Sequence, residues 1–228
     1  ISEPYIVSSY KSHNEMNSNN INDIYIDEEK RIWIANYPEG ITIIDNRYKS
    51  YNWIKHSIGN RQSLVNDQVH SVIEDSDGDL WFGTSNGISL YQSKTGQWHS
   101  FLSSFDHQLK NKNHIFITLC EVSPGIIWAG GYTSGVYKIN KRTLSVEYFS
   151  PYLLNPDNIR PDKYIRDIVK DSKGYIWSGG FYNLKRINLK TQDVRFYDGL
   201  NSITAIVEKD EKSMSVSYTH LRAHETSQ

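Results

Sequence analysis

DSDGDLWFGTSNGISLY, residues 75–91, is the stretch whose reading decides the fold, because three further stretches repeat its grammar. They are DEEKRIWIANYPEGITII at 27–44, VSPGIIWAGGYTSGVYKI at 122–139 and DSKGYIWSGGFYNLKRI at 171–187. Their tryptophans, Trp33, Trp81, Trp128 and Trp177, stand 48, 47 and 49 residues apart. Self-similarity at a fixed period marks a repeat architecture, so the build of one copy sets the whole fold.

The copy around Trp81 predicts four short strands. Val69–Glu74 is a β-branched run, and Asp75-Ser-Asp-Gly-Asp79 supplies a turn. Leu80–Thr84, Ile88–Gln92 and Gln97–Phe101 follow as strands, separated by Ser85-Asn-Gly87 and Ser93-Lys-Thr-Gly96. Apolar or alternating runs bounded by Gly, Asn, Asp and Ser are hairpin signals, and no 3.6-residue period competes with them. One such sheet cannot bury both faces, so consecutive sheets must stack; a radial stack at about 40–50 residues per copy is a β-propeller. The Trp on the second strand is expected to pack on the neighbouring blade, burying about 150–250 Å².

The expected fold is therefore an all-β propeller fragment of about four four-stranded antiparallel blades, an open or incomplete ring. The blades are read at 22–65, 66–112, 113–161 and 162–200, with 1–21 as the end of a preceding blade. Aromatics recur on the fourth strands as Trp53, Trp98, Tyr148 with Phe149, and Phe196 with Tyr197. Glycine stands three residues before the Trp at Gly78, Gly125 and Gly174, with Lys30 the exception, and a positive φ is expected there. It also stands two residues after the Trp at Gly83, Gly130 and Gly179, with Ala35 the exception, where adjacent sheets are expected to approach closely.

The pattern D-x-x-G-x-x-W-x-G-T-x-x-G-I, preceded by N-D-x-V-x-x-V, resembles the two-component regulator propeller repeat. Asn66, Asp67, Val69, Val72, Asp75, Gly78, Trp81, Gly83, Thr84, Gly87 and Ile88 carry the resemblance, with Asp171, Gly174, Trp177 and Gly179 in the fourth copy. It covers about residues 22 to 212. The resemblance implies the sensor half of a hybrid two-component histidine kinase of gut Bacteroidetes-type bacteria. In that family two seven-bladed propellers lie outside the inner membrane and sense glycan fragments. A β-sandwich, one membrane helix, a kinase core, a receiver and a helix-turn-helix output domain follow.

The ends depart from this pattern. The chain begins at Ile1 without Met or an apolar leader, and Tyr5-Ile-Val-Ser-Ser-Tyr10 reads as the last strand of a preceding blade. Residues 201–212 open a fifth copy, read as the first strand of a truncated blade, with Ser215 near where the Trp should fall. From Ser213 the text SMSVSYTHLRAHETSQ abandons the repeat and resembles translated sequencing-adapter sequence. Residues 213–228 are therefore read as a non-native tail, expected to pack poorly outside the blades. An open arc is expected to expose the neighbourhood of Trp33 at one end and an unpaired strand, Ile203 to Val207, at the other.

A net charge of −1 over 228 residues and a pI near 6.8 supply no basic field for nucleic acid. No run of 18 apolar residues provides a membrane span. Cys120, the single cysteine, reads as a core residue rather than a nucleophile. Asp75-Ser-Asp-Gly-Asp79 superficially resembles a calcium loop, yet Gly78 comes fourth rather than sixth and the segment joins strands, so it reads as a turn. His13, His56, His70, His99, His107 and His114 show no metal-binding spacing, so neither metal nor cofactor is expected. No nucleophile elbow, P-loop or dinucleotide fingerprint occurs, although a pair of carboxylates meeting only in space would escape this reading.

Propeller geometry sends the loops after strands two and four to one face, where the resemblance implies ligand binding. Candidate residues after strand two are Tyr37, Tyr132, Phe181 and Tyr182, with Ser85 and Asn86 in the second copy. After strand four stand His56, Arg61, His107, Lys110, Asn111, Asn155, Asp157, Asn158 and Arg160. The set singled out for ligand contact is Tyr37, Tyr132, Phe181, Tyr182, Arg61, Asn111, Asn158 and Arg160, since aromatics beside Asn and Arg suit a sugar. The expected function is that of a non-enzymatic, periplasmic sensor propeller responding to a glycan fragment or other small ligand. Its expected partners are the remaining blades of the parent propeller and a second copy in a homodimer. A secreted glycan hydrolase or lyase is the alternative, and a protein-interaction propeller the third reading.

Overall fold

The computed structural model describes residues 20–38, 40–45, 50–103, 114–149, 163–197, 199–200, 202–211 and 213–218. The first sheet holds β1 to β4, Ile21–Ile26, Ile32–Asn36, Gly40–Asp45 and Ser50–Ile54. The second holds β5 to β8, Val69–Glu74, Leu80–Thr84, Gly87–Gln92 and Gln97–Phe101. The third holds β9 to β12, Phe116–Ser123, Ile126–Gly131, Gly135–Asn140 and Ser145–Phe149. The fourth holds β13 to β16, Ile165–Lys170, Ile176–Gly180, Leu184–Ile187 and Val194–Tyr197. A fifth has two strands, β17 (Ile203–Asp210) and β18 (Ser213–Tyr218). Every sheet is an antiparallel meander in sequence order. The first strands touch one another in succession, β1 to β5 to β9 to β13 to β17, and are therefore the inner strands of a radial stack.

The core is divided among the seams. Trp33, Ala35 and Ile41 pack with Val69, Val72, Leu80 and Phe82 of the second sheet. Trp81, Ile88 and Leu90 meet Phe116, Leu119 and Ile127, while Trp128 and Val136 meet Ile165, Ile168 and Ile176. Trp177 and Leu184 meet Ile203 and Ile206. Each Trp thus faces the next sheet, as its spacing predicts.

The two glycine sets act as expected. Gly78, Gly125 and Gly174 have φ of 83°, 75° and 83°, and Lys30 takes 65° at the same turn position. At Gly130 a Cβ would stand 2.5 Å from Thr118 Cγ2 and 2.6 Å from Ile165 Cγ2 of the next sheet. Both neighbours are β-branched and fixed by the seam, so neither can yield. Gly130→Ala is expected to cost about 1–3 kcal/mol by overpacking. Denaturant unfolding checks it; wild-type stability in this variant would mean the seam is not close-packed there.

Three expectations about the ends are corrected. Trp33 is buried against the second sheet, because the second-strand alternation turns it forward; the exposed flank is the opposite face, carrying Ile21 and Ile24. Strand 203–207 is not unpaired, since β17 pairs with β18, Val207 opposite Ser215. The tail does not all lie outside the sheets: Met214 and Val216 pack beside Trp177. Alternation in S-M-S-V-S-Y alone suffices for this pairing, which is independent of the tail's origin. Ser215 occupies the register of the missing Trp, as Trp33 faces Tyr25 and Trp177 faces Val169 in theirs. A cleft of about 490 Å³ opens beside Trp177, Arg186 and Tyr197, with Met214 and Val216 of β18 in its lining.

Candidate functional site

The inner strands share a defect that builds the site. Each skips one residue of its register near its start, leaving Asn22, His70, Ile117, Arg166 and Thr204 bulged. A bulge re-aims its side chain, and here the same position is re-aimed five times toward one end of the stack. The loops after the second strands reach that end too. Backbone bonds fix them: Tyr37 N donates to Asn20 O (2.8 Å), Ser85 N to Gln68 O (2.9 Å) and Tyr132 N to Ile115 O (2.9 Å).

Four rings gather beside Arg166. Tyr132 meets Tyr164 edge-on at 4.8 Å, Tyr164 meets Phe181 at 6.3 Å, and Phe181 meets Tyr182 at 5.1 Å. Tyr132, Phe181 and Tyr182 remain 44, 45 and 45% exposed, although aromatic rings ordinarily seek burial. Arg166 Nη1 donates to Tyr164 Oη at 3.2 Å. Tyr37 lies apart from this row, 6.0 Å from the His70 ring at the seam of the first two sheets.

Arg61 stands exposed on the loop that Gln62 pins to outer strand β8, through bonds with Trp98 N (2.9 Å) and Trp98 O (3.3 Å). That position separates it from the inner-strand cluster. Asn111, Asn158 and Arg160, with His107, Lys110, Asn155 and Asp157, lie outside the described residues. Tyr164, Arg166 and His70 were not among the sequence candidates; their shared place near the start of each first strand was the available signal.

Two arrangements could serve hydrolysis, and both are spent on structure. His70 Nε2 lies 2.8 Å from Ser85 Oγ, a Ser–His pair. Asn22 Nδ2 donates to Val69 O at 2.9 Å, which fixes the amide, and it faces His70 Nδ1 at 3.4 Å. Nδ1 is then the acceptor and Nε2 carries the proton, the opposite of what a base toward Ser85 needs. Burial, and then the charge of Arg166, push His70 below the usual histidine range.

Asp23 and Asp167 form the second arrangement. Burial raises both carboxyls above the usual range, chiefly against their backbone hydrogen bonds. Asp23 accepts Val72 N (2.8 Å) and Ile24 N (2.9 Å); Asp167 accepts Ile206 N (2.7 Å) and Thr118 Oγ1 (3.4 Å). Their oxygens lace inner strands together. Cys120 is likewise no nucleophile at neutral pH, since burial pushes its thiol up to about 11.

At the other end of the stack, Asp75 Oδ1 accepts Asp77 N (2.9 Å) and Asp79 N (3.1 Å), the geometry of a turn. Its Oδ2 accepts Trp81 Nε1 at 2.8 Å. Asp27 with Trp33 (2.9 Å) and Asp171 with Trp177 (2.8 Å) repeat this bond, whereas Val122 stands at the position in the third sheet. The cation among Asp75, Asp77 and Asp79 is the Lys141 ammonium, at 2.7, 2.9 and 2.7 Å.

The profile of the two-component regulator propeller matches residues 15–37 and 63–86. No curated protein matches the chain. The extracellular domain of a candidate hybrid two-component system from B. thetaiotaomicron aligns at TM-score 0.75 and 20% identity, covering 92% of this chain and 27% of that one. The extracellular domain of a candidate one-component system from the same organism gives 0.65 and 21%, covering 89% and 30%. PorZ, a surface component of the type-IX secretion system of Porphyromonas gingivalis, gives 0.62 and 17%, covering 87% and 31%. This chain therefore spans under a third of each of these proteins, and at such identities the likeness is one of fold. Residues 15–37 and 63–86 thus match the two-component regulator propeller repeat, and the fold is similar to that of these extracellular domains.

Proposed function

We propose that this chain belongs to the extracytoplasmic sensing propeller of a two-component signalling protein, periplasmic in location, whose Tyr132–Tyr182 face captures a glycan fragment. The observation that carries the reading is the row of Tyr132, Tyr164, Phe181 and Tyr182 beside Arg166, of which Tyr132, Phe181 and Tyr182 are left half-exposed. Aromatic faces hold the apolar faces of sugar rings, and adjacent donors hold their hydroxyls. The solved neighbours described as extracellular domains of two-component and one-component systems support a sensing rather than a degradative role. Capture would shift the packing of sensor modules and so bias a downstream kinase, as a ligand must favour one of two states to signal.

Calorimetric titration of the purified chain against a glycan-fragment panel tests this. At least one fragment is expected to bind without being cleaved. The double substitution Tyr132→Ala with Phe181→Ala is expected to weaken that binding by about tenfold or more, at about 1 kcal/mol per ring. Turnover of the fragment would favour the hydrolase reading, and unaltered binding by the double variant would move the site elsewhere.

A further inference from the structure

We infer that the ligand of this face carries an anionic group, a carboxylate or sulfate on a sugar, and that Arg166 receives it. The inference rests on the glycan-capture reading and narrows its substrate class.

Arg166 is the one charged member of the five bulged residues, the others being Asn22, His70, Ile117 and Thr204. It is the residue that the register of β13 skips, and its bond to the Tyr164 hydroxyl at 3.2 Å sets the guanidinium beside the aromatic row. Among the described residues no carboxylate forms an ion pair with it. Its neighbour in sequence, Asp167, is committed to Ile206 N and Thr118 Oγ1, and Asp23 to Val72 N and Ile24 N. Lys163 stands exposed one residue before Tyr164, with its carbonyl accepting Gly135 N at 2.8 Å, and adds a second positive charge. An exposed guanidinium keeps most of its five donors for a ligand, and their planar fork matches two oxygens of a carboxylate or sulfate. A neutral sugar offers that fork only uncharged hydroxyls, without the paired charge that two anionic oxygens supply.

Titration of the full chain with oligogalacturonate, the matched neutral galactooligosaccharide and a sulfated galactooligosaccharide decides the matter. One or both acidic sugars are expected to bind about tenfold more tightly than the neutral one, the strength of a charged hydrogen-bonded contact. A carboxylate source favours the first and a sulfate source the third. Arg166→Gln is expected to remove the preference, weakening acidic-sugar binding about tenfold more than neutral binding at an unchanged melting temperature, and Arg166→Lys to restore part of it. Equal binding of neutral and acidic sugars, or a preference that survives Arg166→Gln, overturns this inference alone. Binding of no acidic glycan overturns this inference, and binding of no fragment in the whole panel, neutral or acidic, overturns the capture reading with it.

Discussion

Lys141→Met is expected to destabilise the fold by about 3–5 kcal/mol, the cost of removing one partner from a buried ion pair. Lys141 lies in the turn after β11, yet its ammonium sits among three carboxylates of the second sheet's first turn. The Asp75 side chain is wholly buried and that of Asp79 nearly so. Burial alone would lower the lysine pKa, but the hydrogen bonds it donates to Asp75, Asp77 and Asp79 outweigh it and hold the ammonium above the ordinary lysine range. Without it, Asp75 keeps the Trp81 indole and two backbone amides but loses its only counter-charge among the described contacts. Thermal unfolding reads the loss as about 2–4 °C per kcal/mol for a chain of this size. Asp77→Asn should change little, because that carboxylate is exposed. A Lys141→Met protein as stable as wild type would mean that water reaches Asp75 and that the seam is not locked there.

That lock also shows where sequence reading stops. Repeat-to-repeat contacts fall near one period and leave a trace. Asp23 meets Val72 N at a separation of 49, Ile168 N meets Thr118 at 50, and Ser76 meets Glu121 at 45. The Trp spacing and the two glycine sets are visible for the same reason: each copy solves the same packing problem with the same residue. The Asp six residues before the Trp was equally visible in three copies, although its bond to the indole was not read from it. Lys141, 66 residues from Asp75, follows no period and recurs in no other described turn, so only the fold brings it there. The ligand-facing row is intermediate. Tyr132, Phe181 and Tyr182 follow from the loop after strand two, but Tyr164 and Arg166 depend on a register shift that no residue type announces.

The chain in isolation is expected to self-associate through the outer face of its first sheet, and Ile24→Glu is expected to return it toward a monomer. Ile24 is 55% exposed, whereas Val72, Leu119, Ile168 and Ile206, in the same register of their sheets, are 6, 5, 3 and 2% exposed. Ile21 is 41% exposed, against 0, 0, 1 and 1% for Val69, Phe116, Ile165 and Ile203. Both side chains point to where a preceding blade would press. Covering each is worth up to about 1.5–3 kcal/mol, which favours association at high protein concentration once the rest of the face is covered with them. Sedimentation velocity over a concentration series reads the mass directly, and a wild-type chain that stays monomeric throughout would sink the idea. The substitution itself carries a built-in control. Ile24→Glu should leave the melting temperature nearly unchanged, since its side chain already meets water. Val72→Glu places the same charge at the same register position inside a seam, between Trp33 and Phe82, and should unfold the protein. One residue type at one position in two copies then has opposite consequences, because among the described residues a neighbouring sheet covers only one of them.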